Sequence, residues 1–443
     1  MPPARVGNSF MNTKKENQGQ AWVVTVDMGY GHQRTAYPLK FLAPEGKLIN
    51  ANCYPGISEK DRWIWGSIII FYEFISNFKN IPLVGGIAFS FFDSLHKIES
   101  FYPKRDLSSP NLELKFLFFL MKMGWGKRLI EKMGERPIVG TFFMPAFMAE
   151  YFGYPAEIFI VICDADIARS WVSIDPNSSK IKYLVPTLRA SERLRLYGVK
   201  QENIYLTGYP LPLENIGSEN MEILKNDLSC RLLNLDPKGV YFKEYGALVK
   251  KYLGELPECP AHLLTLLFSV GGAGAQKDIG VKVLKSLAKK IKNKEIKMIL
   301  SAGTRKKSKE YFEKHIKDLG LNDCLGKNIE IIFAENTDSY FEAFNRALRT
   351  TDILWTKPSE LSFYSALGLP IIMAPPVGSQ EDCNKEWLLR LGSGIPQGDP
   401  KYTDLWLFDL LNSGWFAEAA MQGFIEGEKL GTFKIKSLLN KNN

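Results

Sequence analysis

The sequence predicts an α/β protein made of two Rossmann-like, doubly wound domains that face each other across a cleft. Three observations lead there. Short apolar runs of strand length alternate with helical stretches twice over, from Ala21 and again from Leu263. Two of these runs, AWVVTV and LLTLLF, open directly into small-residue turns, DMGYGH and SVGGAGAQ, that lead into helices. The stretch from Thr351 to Asn384 reads as strand, turn, short helix and strand. Such a unit puts a helix N-terminus at the carboxyl edge of a parallel sheet, where these sheets bind ligands.

Composition sets the bounds. A chain of 443 residues is too long for one core and most easily forms two domains. Apolar content of 45% with 23% charged residues describes a globular, enzyme-like chain and excludes a disordered one. The six cysteines are scattered without a C-x-x-C pair, so neither a disulfide framework nor a zinc site is implied. The net charge of +8 is modest, and the lysines of residues 282–317 recur on helical segments as solvated faces. No nucleic-acid partner is expected. Residues 1–20 are polar and lack an apolar signal region, which reads as a loose tail. The expected location is the cytoplasm or the inner face of the cell membrane.

The first domain is expected over residues 21–212. Ala21 to Val26 is a buried strand, Gly29 and Gly31 permit a tight turn, and a helix starts near His32. A histidine at the carboxyl end of the first strand faces the ligand crevice, where it either caps the helix or handles a proton. Residues 61–133 form an apolar, aromatic insertion broken by charge and proline. None of its runs reaches the ~20 uninterrupted apolar residues of a membrane span. Two explanations stand for it. Its helices bury against their own domain, or they form an apolar surface beside Lys104, Arg105, Lys115, Lys122, Lys127 and Arg128 that lies on an anionic membrane. The second requires Trp63, Trp65, Phe91 and Phe92 to be partly exposed. From Pro137 the alternation resumes, with strands over residues 138–141, 158–163, 182–185 and 204–207. The run IFIVIC ends on Asp164 and Asp166, again at a strand's carboxyl edge.

Residues 213–260 hold charged helical pieces and several prolines and read as a linker plus the entry helix of a second domain over residues 261–410. Gly271, Gly272, Ala273, Gly274 and Ala275 make a turn almost without side chains, whose amides can approach a phosphate. Further strands are expected over residues 297–301, 329–333, 352–355 and 369–374. Between the last two, Lys357 and Pro358 end the strand, and Pro358 or Ser359 starts a helix over residues 360–367. The free amides there favour an anion such as a diphosphate. The segment after Gly392 looks loop-like. Helical sequence from residue 405, continued in a C-terminal helical region over residues 411–443, is expected to cross back to the first domain.

The ordered motifs GYGH, CDADIARSWV, YLVPT, LYGVKQENIYLTGYP, GGAGAQ, TDILWTKPSELSFYSALGLPII and GSQEDCN together resemble the GT-B glycosyltransferases. The likeness is to the monogalactosyldiacylglycerol synthase and processive diacylglycerol glucosyltransferase group, over most of residues 21–390. It implies an acceptor-binding first domain and a second domain that binds a nucleoside-diphosphate sugar, expected to be a UDP-sugar. It also implies transfer with inversion to a lipid or lipid-linked acceptor. His32 matches the proposed general base, while Gly29, Gly31 and Asp164 fall on the acceptor side. The loop Gly271, Gly272, Ala273, Gly274 and Ala275 matches the one facing the donor diphosphate, as do Thr356, Lys357 and Ser359. Gln380, Glu381 and Asn384 match the element that meets sugar and nucleotide.

Two departures stand out. The family's T-K-P/A-G-G turn is here Thr356-Lys357-Pro358-Ser359-Glu360, and Ser365 replaces the glutamate that grips the ribose. Glu360, more than one helical turn earlier, is the candidate substitute. No Asp-x-Asp lies at the donor side, so neither a metal nor a cofactor is expected. Two other readings share the fold: a nucleotide-sugar enzyme with a soluble acceptor or epimerase activity, and a non-catalytic nucleotide- or partner-binding protein.

Overall fold

The computed structural model describes residues 20–78, 98–256, 262–269, 274 and 276–441. Its first half runs β1 (Trp22–Thr25), α1 (Tyr30–Ala36), β2 (Ile49–Asn50), α2 (Glu59–Phe78), α3 (Leu112–Lys122), α4 (Lys127–Lys132) and β3 (Ile138–Gly140). It continues with α5 (Phe143–Tyr151), β4 (Ile158–Val161), β5 (Lys182–Val185), α6 (Leu188–Leu196) and β6 (Ile204–Leu206). These strands form one sheet in the order β2-β1-β3-β4-β5-β6, with every pairing parallel. The chain reverses direction across the sheet between β1 and β3, which makes the carboxyl ends of those two strands the ligand crevice.

Helices α7 (Leu213–Ile216), α8 (Glu222–Leu235) and α9 (Val240–Leu253) lead to the second half. There follow β7 (Thr265–Ser269), α10 (Lys277–Lys292), β8 (Lys297–Gly303), α11 (Lys306–Asp318), β9 (Ile329–Phe333), α12 (Thr337–Leu348) and β10 (Ile353–Thr356). A 3-10 helix (Glu360–Leu367), β11 (Ile371–Met373), α13 (Ser379–Leu391) and β12 (Gly394–Pro396) complete the unit. The second sheet is also all parallel, in the order β12-β11-β10-β7-β8-β9. Counted from β7, that is the 3-2-1-4-5-6 order of dinucleotide-binding folds, with its switch point between β7 and β10. Two such sheets with touching carboxyl edges make the GT-B arrangement.

Helices α14 (Thr403–Asn412), α15 (Trp415–Glu426) and α16 (Gly431–Lys441) close the chain. The single helical stretch expected from residue 405 is thus broken in two at Gly414, which takes a left-handed φ of 79°. It is α16 that returns to the first sheet. Ile435 and Leu439 are buried among Leu39, Leu42, Val139, Phe159 and Val161, each such side chain contributing about 2 kcal/mol. The other face of that sheet is covered by the insertion, through Ile64, Trp65, Leu114, Leu117, Met121 and Trp125.

Three local expectations are corrected. The segment after Gly392 holds β12, whose Gly-Ile-Pro sequence is too short and too poor in strand formers to announce itself. Residues 213–253 form three helices where a linker and one helix were expected. Cys53, Cys163, Cys324 and Cys383 are free thiols, but Cys230 is disulfide-bonded, since spacing along a chain says nothing about which sulfurs meet in space.

Helix α8 is anchored by Arg231, which is buried and donates to the carbonyls of Leu348, Thr351, Leu367 and Gly368. One guanidinium therefore satisfies the loose carbonyls where α12 and the 3-10 helix end. Arg231→Met should destabilise the protein by about 3–5 kcal/mol in urea unfolding, because it leaves those carbonyls buried and unpaired. A loss below about 1 kcal/mol would show that water replaces the arginine.

Candidate active site

At the switch point of the first sheet, Gly29 takes a φ of 102° and releases the chain into α1. His32 then reaches across to β3, with its Nδ1 2.9 Å from the carbonyl oxygen of Thr141. A carbonyl only accepts, so Nδ1 carries the hydrogen and Nε2 is the accepting atom of a neutral ring. Phe142 and Trp171 flank that ring at 4.6 and 6.0 Å between centroids. Burial pushes its pKa down to about 4, although the Thr141 carbonyl and the charge of Glu360 act in the opposite direction.

The two aspartates at the end of β4 separate. Asp166 is locked to Arg193 by two hydrogen bonds of 2.9 Å and anchors α6. Asp164 faces the cleft. The Cys163 sulfur stands 3.8 Å from Asp164 Oδ2 and 3.7 Å from His32 Nδ1, so carboxylate and imidazole sit on either side of one thiol. Burial, reinforced by the fields of Glu360 and Glu381 and partly offset by a hydrogen bond from Asn384, raises the Asp164 pKa to about 6.

The second sheet brings its own set to the same place. Thr356 is buried at the end of β10, and Ser359, partly exposed, precedes the 3-10 helix. The Lys357 ammonium is paired with Glu381. Burial opposes its charge, but Glu381, Glu360 and Asp164 together raise its pKa above the usual value. Glu381 also accepts from the Val377 amide at 2.8 Å, and Gln380 is partly exposed beside it. Gly274 is left-handed, with φ 68°, and lies against Ser308 and Arg305. Gly271, Gly272, Ala273 and Ala275 lie outside the described residues.

Asn384 joins the two domains. It is fully buried, and its amide makes three hydrogen bonds: Oδ1 accepts from Ala165 N at 2.7 Å, and Nδ2 donates to Asp164 Oδ1 at 2.9 Å and to Pro358 O at 3.1 Å. With so little capacity left, this side chain orients Asp164 and the 356–360 turn.

Glu360 leaves its helix toward the first domain. Its Oε1 accepts from Arg34 Nε at 3.2 Å, and both side chains are buried. Arg34 also donates to Tyr340 OH at 3.3 Å and lies over the Phe341 and Phe344 rings at 4.6 and 4.4 Å. Gly31 permits this approach, since a Cβ there would stand 3.3 Å from Glu360 Oε2. Beside it, Tyr30 OH accepts from Thr304 N at 2.7 Å. Ser365 is 0% exposed, and its carbonyl packs so closely on α15 that a Cβ at Gly423 would lie 2.4 Å away. The position that grips ribose in the resembled family is therefore fully buried here.

The cleft thus gathers His32, Asp164, Thr356, Lys357, Ser359, Glu360, Glu381 and Asn384, with Gln380 at its margin. Arg34, Tyr30, Tyr340 and Thr141 were not anticipated. An aromatic between the glycines of GYGH was the one available signal, because it leaves the tight turn pointing outward. A buried arginine on a short helix has no sequence signature. A cavity of about 690 Å³ lined by Phe118, Tyr151, Ile158 and Lys182 opens at the amino ends of β4 and β5, at the far edge of the sheet from His32.

Glu360→Gln should leave the Arg34 guanidinium buried without its counter-charge and cost about 3 kcal/mol or more in urea unfolding. The double variant Arg34→Met/Glu360→Met should cost clearly less than the sum of its two singles. Additive costs would mean that the pair does not act as a unit.

The family model of a domain of unknown function (DUF6938) matches residues 261–396, under a third of the chain. No curated protein matches it in sequence. Among solved structures, MurG from Acinetobacter baumannii is 13% identical and aligns over 95% of this chain and 99% of its own, at a TM-score of 0.45. A glycosyltransferase from Rickettsia africae is 12% identical over 96% of this chain and 100% of its own, at 0.39. HepE from Anabaena, solved in complex with UDP, is 11% identical over 71% of this chain and 81% of its own, at 0.41. These are distant likenesses of overall fold and say nothing about which residues act.

Proposed function

We propose that this protein is an inverting glycosyltransferase that moves a sugar from a UDP-sugar to a lipid or lipid-linked acceptor at a membrane face. The observation that carries this reading is the 2.9 Å contact between Asn384 and Asp164. It sets the carboxyl edge of the first sheet, with His32 and Asp164, directly against the second-domain turn that holds Lys357. In this reading the acceptor hydroxyl lies on the first-domain side and loses its proton there, while the diphosphate leaves on the second-domain side. In this reading the start of the 3-10 helix after β10 and the Lys357 ammonium face the charge that builds on the leaving group. Glu381 holds Lys357 in the protein alone, and a bound diphosphate would draw it away.

Support for the membrane face comes from the insertion. On α3, Leu112, Phe116, Phe119 and Met123 recur along one exposed side opposite the buried Leu114, Leu117 and Met121. Lys60 at the start of α2 donates to Met123 O at 2.7 Å, which brings the exposed face of that helix, with Trp63 73% exposed, beside this stripe. Lys115, Lys122, Lys127 and Arg128 are exposed around it. Trp65, expected on the surface, is buried against Trp125, because the two tryptophans of the WIW sequence leave the helix in different directions. Phe91 and Phe92 lie outside the described residues. Among the described residues no helix is long and apolar enough to cross a membrane.

Two measurements test the reading. Calorimetry with UDP should show binding, and a screen of UDP-hexoses with diacylglycerol vesicles should show UDP release coupled to a glycolipid product. Absence of both binding and release would sink it, and an epimerised nucleotide sugar as the product would replace transfer with epimerisation. The protein should also sediment with anionic vesicles at low salt and less at high salt, as each basic residue near the surface contributes about 1 kcal/mol. Phe116→Ser/Phe119→Ser should reduce that sedimentation several-fold, and equal recovery with and without vesicles would point to a soluble acceptor.

A further inference from the structure

Among the described residues the cleft holds five buried or half-buried charged groups, and four are paired: Arg34 with Glu360, and Lys357 with Glu381. Asp164 is the fifth, and no ion pair holds it among the described residues. Its Oδ1 is fixed by the neutral amide of Asn384, and among the described residues its Oδ2 meets the Cys163 thiol, at 3.8 Å. The titratable groups around it are Cys163 and His32 from its own domain, Lys357 and Glu360 from the turn after β10, and Glu381 and Cys383 from α13. With three carboxylates against two cations, the cluster carries one negative charge in excess.

We propose that Asp164, held by Asn384, takes the proton of the attacking hydroxyl, and that His32 remains a neutral ring that positions the acceptor through Nε2. This rests on the transferase reading above. Charge type decides between the two groups. A buried imidazole that accepts a proton gains a charge between Phe142 and Trp171, which desolvation opposes. A carboxylate that accepts a proton loses its charge, which desolvation and the fields of Glu360 and Glu381 favour. The direction of each pKa shift agrees, down for His32 and up for Asp164. In the step itself, the hydroxyl proton moves to Asp164 Oδ2 and the freed oxygen pair forms the bond to the anomeric carbon. The bond from that carbon to the diphosphate oxygen breaks with its electrons on the departing nucleoside diphosphate. One unit of negative charge thus crosses the cleft, from the acid-rich side toward Lys357. Asn384 is a positioning residue: it aims Oδ2, and by donating to the charged form it keeps Asp164 from being protonated too readily.

The test compares wild type, Asp164→Asn, His32→Gln and Asn384→Ala in UDP release from UDP-hexoses with diacylglycerol vesicles, from about pH 5 to 9, alongside UDP affinity by calorimetry. Asp164→Asn can still accept the Asn384 hydrogen bond. It should lower kcat by about 100-fold or more with UDP affinity within about threefold, and it should abolish the acid limb of the profile. In wild type that limb should fall near the Asp164 pKa of about 6. His32→Gln should lose only about tenfold and keep the limb. Asn384→Ala should move it upward, a shift that a purely structural staple would not produce. Loss of the limb in His32→Gln with Asp164→Asn near wild type would overturn the proposal. Failure of the wild type to release UDP from any donor would remove the transferase reading. The assignment is then read from the infrared carboxyl band that Asp164→Asn abolishes. Titration of that band near pH 6 supports Asp164 as the proton-accepting group, and a band still ionised at about pH 4 excludes it.

Discussion

The structure depends on burying charge where two sheet edges meet. Loops at the carboxyl ends of parallel strands carry unpaired amides and polar side chains, and pressing two such edges together would strand them without water. Each domain instead supplies the other's missing partners. Arg34 answers Glu360, Tyr30 answers the Thr304 amide, and Asn384 answers the Ala165 amide and the Asp164 carboxylate. The seam is specific because each of these groups is costly to bury alone.

The same seam explains the altered turn after β10. Without the two glycines, Ser359 and Glu360 bring side chains to a place where a bare backbone would otherwise approach a ligand, and the Glu360 carboxylate is spent on Arg34. Room for it comes from the opposite domain, through Gly31. Ser365 is buried with its backbone against α15, and among the described residues its hydroxyl has no hydrogen-bond partner. A ligand in this cleft would therefore meet Lys357, Gln380 and Glu381 before any carboxylate on the 3-10 helix. Among the described residues, Arg34 with Glu360 and Lys357 with Glu381 form ion pairs, and Asp164 has none of its own.

The insertion divides its apolar residues between two tasks. Trp65, Leu114, Leu117, Met121 and Trp125 cover one face of the first sheet as α16 covers the other. Leu112, Phe116, Phe119 and Trp63 are left outside, although a monomer seldom leaves large apolar side chains grouped on one helix face without a use. Helical periodicity on α3 makes both possible within one short helix.

Much of the fold was legible in the chain. The strands at Lys182–Val185 and Ile329–Phe333 fall where the apolar runs put them, and the glycine turn after β1 sits where GYGH stands, because these signals are local. Strand β12, the break at Gly414 and the bonded Cys230 were not read from the sequence, since no run of residues along the chain sets any of them apart. For the site, the chemical types could be read along the chain: a histidine and an aspartate at strand ends, a lysine in a turn, and a glutamine, glutamate and asparagine on a later helix. Which of these side chains meet was set by the folded chain. It turned Glu360 to Arg34, buried Ser365, closed Asn384 onto Asp164 and, among the described residues, gave that carboxylate no ion pair. Partners separated by more than 200 residues, such as Asp164 and Asn384, leave no trace in local pattern. Their pairing is set by two sheets meeting edge to edge, and by the cost of leaving a charge there unanswered.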